Sequence, residues 1–519
     1  MKKFSIFFIK FVSIVVISII LSLPFIAPVF LIKGFNIITV YLLAFILFFI
    51  IGFLYYFPVK ICLKKNLKRK KGFLISVSII LITGLTAYGI TNLCGTLMLK
   101  KVIEVAKKEG IRFEFKDIVP AEIPDEKNAA VVFQEVFTML KRMGKEQKNL
   151  INESYGIVFS KFEHTPESPE KKVNQARKLL FGDEFNKFFN LIDKAVSMPD
   201  CRFKINYEDG PGALSPHLSK LREIARIYAL KSYFLAEKQD VNSALKTIET
   251  IFSLGDCLLN EPFIISQLVR FSLYEVAVDS FQEIFYTAGE KLSSKDLEKM
   301  IFLIDNKKLD ITDPYVKDYI LMIGWVFGNI LPGPFKKGDI PIMCSLCVQI
   351  TDTPYNKLYK IVFLPVLKMD AALTLKIIIR AKYLVSLPFY SVSSDLKKLE
   401  QYIHDCAERY SSGALLTGFS VEIPVIRSKC LARLSAMKIL CGLEIYKRKY
   451  GDYPERLEQL IPEIFQQLPL DPFTGKNFIY RKHGGKIIIY SVGRNLKDDG
   501  GTYDLKKEKD DIVWKNKKD

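Results

Sequence analysis

The chain has 519 residues, 49% of them hydrophobic, with 75 Lys and Arg against 56 Asp and Glu for a net charge of +19. That apolar content excludes an intrinsically disordered chain. The charge does not mark a nucleic-acid binder, because it is unevenly placed: Met1 to Lys101 carries 13 basic residues and no acidic one, leaving +6 on the other 418.

Three stretches near the start carry no charge: Phe11 to Ile32, Gly34 to Val59 and Gly72 to Leu99. Each exceeds the roughly 20 residues a helix needs to cross the hydrocarbon core, so the sequence predicts a three-helix membrane anchor over 1–101. Met1, Lys2 and Lys3 resemble the start of a signal peptide, but no small-residue cleavage pattern follows and the apolar run continues through Pro24 and Pro28. Lys33 to Asn36 makes a tight hairpin between the first two spans. The second and third are separated by seven positive charges, Lys60, Lys64, Lys65, Lys68, Arg69, Lys70 and Lys71. Basic loops stay cytoplasmic, which predicts a cytoplasmic N-terminus and an extracytoplasmic location for everything after Leu99. The loop also suits anionic lipid headgroups. Since no acidic residue lies in any span, the spans read as an anchor in the bilayer and not as an ion pathway.

Residues 102–424 read as a large all-helical domain. Asp125 is placed to cap a helix running through Asn128 to Phe133. Glu163 to Glu170, with Pro166 and Pro169, and then Asp209 to Pro216 punctuate the chain as loops. Leu218, Leu221, Ile224, Ala225, Tyr228 and Ala229 keep the spacing of one helix face, and Val241, Ala244, Leu245, Ile248 and Ile251 return after a turn at Lys238 to Asp240. This hairpin resembles a tetratricopeptide-type unit, but no second copy follows at a fixed period, which favours a general helical bundle. Ser293 or Ser294 can cap the next helix. Tyr319 to Leu331 and Leu358 to Phe389 are apolar again. The first has too few residues to cross a membrane; Lys360, Lys368, Asp370, Lys376, Arg380 and Lys382 make the second amphipathic.

Catalytic signatures are sparse. The four histidines, His164, His217, His404 and His483, show no metal spacing and read as isolated surface or turn residues. No phosphate-cradling glycine loop and no nucleophile elbow occurs. Of nine cysteines, Cys344 and Cys347 have thiol-redox spacing. Their apolar flanks favour buried or paired cysteines over a redox motif.

The last segment, 425–519, reads as a small α+β module. Ile426 to Ile445 keeps a helical face that stops at Gly451 and Pro454. A short helix follows at Glu455 to Leu460. Phe478 to Tyr480 and Ile487 to Tyr490 then read as a β-hairpin. Tyr446, Gly451, Tyr453 and Pro454, then Pro469, Asp471, Pro472, Phe473 and Gly475, then Tyr490, Ser491 and Gly493, and finally Asp511, Ile512 and Trp514 stand in a distinctive order. In that order the module resembles the C-terminal domain of the major pseudopilins of bacterial type II secretion. The rest of the exterior, including Glu261 to Leu268, resembles bacterial membrane-anchored helical proteins that carry the same tail.

The pseudopilin resemblance implies a calcium-binding last loop and an association with secretion machinery. Asp511 matches a ligand position, Asn495 stands where the family has an aspartate, and Asp498 and Asp499 are further oxygen donors suited to Ca²⁺. A solvated acidic turn is the alternative. Pseudopilins carry a glutamate early in their first helix. This chain has its first glutamate at Glu104, beyond the three expected spans, which argues against assembly into a pseudopilus. The expectation is a mostly α, membrane-anchored interaction protein of the bacterial envelope with protein partners there. The alternative is an envelope hydrolase using carboxylates of the helical region.

Overall fold

The computed structural model describes residues 69–159, 169–207, 215–327, 354–409, 422–483, 485–504 and 509–516. The first two expected spans and the Cys344–Cys347 pair lie outside the described residues. What is described is mostly helical, with one three-stranded antiparallel sheet and a two-stranded ribbon. The chain divides into two compact units. One comprises the described parts of Met1–Glu114, Met322–Arg380 and Lys398–Gly418. The other comprises those of Phe115–Leu321, Ala381–Lys397 and Phe419–Asp519.

The first unit is built on α1 (Arg69–Lys108), a single helix of 40 residues. At about 1.5 Å per residue it is roughly 60 Å long. The segment Leu81–Lys108 is the one helix among the described residues that is long and apolar enough to cross a membrane. Its apolar side chains are not packed away: Leu81, Ile82, Leu85, Ile90, Leu93 and Leu97 are each more than half exposed. A second long helix of the same unit touches its far half. There Lys368 reaches Asn92 Oδ1 at 2.8 Å and Thr96 Oγ1 at 2.9 Å.

The second unit begins with α2 (Phe115–Ile118), followed by α3 (Ala129–Arg142), α4 (Lys145–Val158), α5 (Pro169–Leu180) and α6 (Asp183–Val196). The cap of α3 is Asn128 and not Asp125. Asp125–Lys127 forms a 3₁₀ turn, while the Asn128 carboxamide accepts from Ala130 N at 3.1 Å and from Arg202 N at 2.9 Å. One side chain thus closes a helix end and ties it to a strand-like segment 74 residues away.

Helices α7 (Pro216–Glu237), α8 (Val241–Asp256) and α9 (Ile264–Ala288) pack against one another as the centre of the unit. The predicted hairpin is α7 and α8. Gln239 turns with a positive φ of 61°, and Asp240 caps α8 by accepting from Ser243 N at 3.2 Å. Next comes α10 (Ser294–Asp305), where Ser293 and Asp296 form a reciprocal capping box, as expected from the sequence. Then follow α11 (Thr312–Phe327), α12 (Pro354–Ser386), α13 (Phe389–Arg409) and α14 (Glu422–Tyr450). The first three cross from one unit to the other along the chain.

Helix α14 packs on α9 and α10 and also carries the sheet. It stops at Gly451, whose φ of +87° is costly for any side chain. The expected short helix is only a 3₁₀ turn, Leu457–Leu460. The hairpin forms as read: β1 (Ile479–His483) pairs with β2 (Lys486–Ser491), with Tyr480 opposite Ile489. β3 (Tyr503–Asp504) and β4 (Lys509–Asp510) make the ribbon. β5 (Ile512–Lys515) adds to the other edge of β2, setting the buried Trp514 opposite Ile489.

Candidate functional site

The C-terminal loop is shaped by its backbone first. Gly493, Leu496, Gly500 and Gly501 all take positive φ, which curls residues 493–501 tightly. At Gly493 a Cβ would stand 2.0 Å from Asp510 O, so only glycine fits there.

Of the four expected metal residues, three are drawn together. Asn495 donates through Nδ2 to Asp499 Oδ2 at 2.9 Å and accepts from Lys497 N through Oδ1 at 2.8 Å. Asp499 Oδ2 also accepts from Asp510 N at 3.1 Å. Asp511 is fully buried. Its Oδ2 accepts from Gly501 N at 2.7 Å, while its Oδ1 is enclosed and has no hydrogen-bond partner. Burial pushes the Asp511 carboxyl above the usual range, against hydrogen bonds from the Gly501, Asp499 and Thr502 amides, and the Asp499 charge adds to the rise. The fourth residue, Asp498, turns away. Its Oδ1 accepts from Tyr490 OH and Gly500 N, both at 2.9 Å, and its Oδ2 faces Arg481 at 3.3 Å.

An orphaned, buried carboxylate oxygen is what a hard cation would satisfy. Asp511 and Asp499 are the anionic donors, with Asn495 as a neutral one. Ca²⁺ takes about 6–8 oxygens, so loop carbonyls and water would complete the shell. Among the described residues no group of three His, Cys, Asp or Glu side chains converges as a metal site.

The helical domain holds two features that sequence reading missed. His217 is not a surface residue but is buried at the start of α7, stacked on Phe203 with ring centroids 4.3 Å apart. Its Nε2 lies 2.8 Å from Glu261 Oε1, and Ser266 donates to the other oxygen of the same carboxylate. The carboxylate therefore stands between serine and histidine. A nucleophilic relay needs the histidine in the middle, so this cluster lacks that order. It instead pins the Glu261 to Ser266 segment onto α7.

The second feature is a groove of about 430 Å³ between α4, α7 and α9, within the usual size of small-molecule sites. Arg222 and Arg226 stand one turn apart on α7. Glu275 and Asp279 stand one turn apart on α9, and Asn152 and Tyr155 of α4 form the third side. Asp279 is held from behind by Arg433 of α14 in a short ion pair. Arg226 donates to Asn152 Oδ1 at 3.1 Å. Each charge pair was visible as an i,i+4 spacing, but nothing local said that α7 would face α9.

Compared with known proteins, the chain matches no family model, no curated protein and no solved structure.

Proposed function

We propose that this is a membrane-anchored protein of the bacterial envelope that works by binding partners, with a C-terminal loop ordered by calcium. In this reading three N-terminal transmembrane helices hold it in the cytoplasmic membrane, with the N-terminus inside and the residues after Leu99 outside. The basic residues Lys60 to Lys71, the last three of which begin α1, and the exposed apolar face of Leu81 to Leu97 support the anchor. A pseudopilin-like tail supports a place near secretion machinery.

The observation that carries the calcium reading is the Asp511 carboxylate, buried with Oδ1 lacking any hydrogen-bond partner. Leaving a buried anionic oxygen unpaired costs on the order of 1–3 kcal/mol or more. A cation shared with Asp499 would remove that cost. The competing hydrolase reading would use Glu275 and Asp279 as an acid–base pair. Asp279 is already committed to Arg433, and two guanidiniums face the pair across an open groove, which favours binding over proton transfer.

Isothermal titration of the full chain in detergent with CaCl₂ tests the loop. Saturable heat that is lost in Asp511→Ala is expected, together with protection of residues 495–511 from protease. No heat and an unchanged digestion pattern would reject the calcium reading. Affinity purification from membranes, with and without calcium, tests the binding role; recovery of no reproducible envelope partner under either condition counts against it.

A further inference from the structure

The groove between α4, α7 and α9 separates charge by helix. Its cationic wall is Arg222 and Arg226, and its anionic wall is Glu275 and Asp279. Two of these four are already engaged, Arg226 with Asn152 and Asp279 with Arg433. Arg222 and Glu275 make no hydrogen bond or ion pair among the described residues. One of each sign thus lines a common cavity from opposite helices.

The third side is apolar in its floor. Tyr155 and Gly156 are buried, and Val276 lies between the two carboxylates on α9. Behind that floor, Arg433 fixes the rotamer of Asp279. Burial works against the Arg433 charge, but Asp279 and Glu275 together raise its pKa, so it stays a guanidinium. The anionic wall is thus preorganised from behind, and Asp279 is half neutralised. Glu275 also feels the Arg433 charge but makes no ion pair with it among the described residues, so its carboxylate oxygens face the groove. On the opposite wall, either of two exposed guanidiniums one turn apart can present its fork to a carboxylate.

We propose that this groove binds a short peptide with free termini, its carboxylate on Arg222 and Arg226 and its ammonium on Glu275. The two walls favour molecules that carry both charges, since a ligand with only one of them satisfies only one wall. This site is independent of the calcium loop.

The test is a titration of the full chain in detergent, without calcium, using trialanine, N-acetyl-trialanine, trialanine amide and inorganic phosphate. Trialanine is expected to bind in the millimolar range or tighter. Blocking either end should weaken it by about tenfold or more, the usual scale of a lost charge-assisted hydrogen bond. Arg222→Gln should match the loss seen with the amide, and Glu275→Gln the loss seen with the acetyl peptide. Both side chains lie at the groove surface, and unchanged far-UV circular dichroism confirms that the variants fold. Lack of saturable trialanine binding, equal binding of the acetylated peptide, or phosphate binding as well as trialanine would each overturn the proposal.

Discussion

Asp471 and Ser491 meet inside the C-terminal module, with Ser491 Oγ donating to Asp471 Oδ1 at 2.8 Å and both residues buried. The same carboxylate accepts from Phe473 N at 2.9 Å and from Thr474 Oγ1 at 3.3 Å. It therefore closes the turn that follows Pro469 and fastens that turn to the end of β2. Burial raises the Asp471 carboxyl above its ordinary range, and these hydrogen bonds pull back against it. Asp471→Ala should leave the Phe473 amide and the Ser491 hydroxyl unsatisfied, costing about 2–4 kcal/mol. Asp471→Asn, which keeps an acceptor, should cost less than half as much. Urea unfolding curves of the two variants check this; equal midpoints would show that the contact contributes nothing.

Gly442 sets how closely α14 lets the next segment approach. A Cβ there would lie 2.6 Å from the Phe465 ring and 3.3 Å from Ile464 Cγ2. Phe465 and Ile464 follow the 3₁₀ turn, so the clash would fall where the C-terminal module joins its helix. Gly442→Ala gains helix propensity of about 1 kcal/mol and pays overpacking of about 1–3 kcal/mol. Net destabilisation is expected, and Gly442→Ala with Phe465→Leu should recover most of it. A stabilised single variant in thermal melts would show that Phe465 moves aside freely.

These two sites show what was legible in the sequence. Asp471, Ser491 and Gly451 were all singled out as members of an ordered motif, and the hairpin they frame forms at the expected place. Local rules reach that far because turns and capping boxes such as Ser293 with Asp296 are made within a few residues. Contacts between distant segments were not legible. Asn128 outcompetes Asp125 as a cap because it also holds Arg202, and His217 is buried because Glu261 waits for it. The groove was illegible for the same reason: its two walls lie about fifty residues apart on α7 and α9.

Cys201 and Cys257 form a second long-range pair. The neighbouring Cys257 thiol is the main cause of a strongly raised Cys201 pKa, followed by burial. The thiolate is the reactive species. In reduced protein at pH 8, Cys201 should react with iodoacetamide at least about tenfold more slowly than a small free thiol. Cys257→Ser replaces the neighbouring sulfur and should change that rate, whereas Cys441→Ser should not. Peptide mapping by mass spectrometry gives the rates. Rapid alkylation of Cys201 in the folded protein would contradict the arrangement.

The start of α9 is capped from a distance, and this makes stability depend on pH. Phe263 occupies the cap position and has no side-chain acceptor, so the first helical amide, Ile264 N, donates to Asp318 Oδ2 of α11 at 2.9 Å. Burial outweighs that hydrogen bond and pushes the Asp318 carboxyl up to about 7. In the unfolded chain the same group titrates near 3.9. Between these values the folded state holds the extra proton, so stability falls as pH rises, by up to about 1.4 kcal/mol per pH unit. The contribution is fully present below the unfolded value and is gone once pH has passed the folded one. Asp318→Asn keeps an acceptor for Ile264 but cannot titrate. Its urea midpoint should therefore change less between pH 5 and pH 7 than that of the parent chain, with the curves crossing in that interval or above it. Parallel curves for the two proteins would show that Asp318 stays ionised in the folded state.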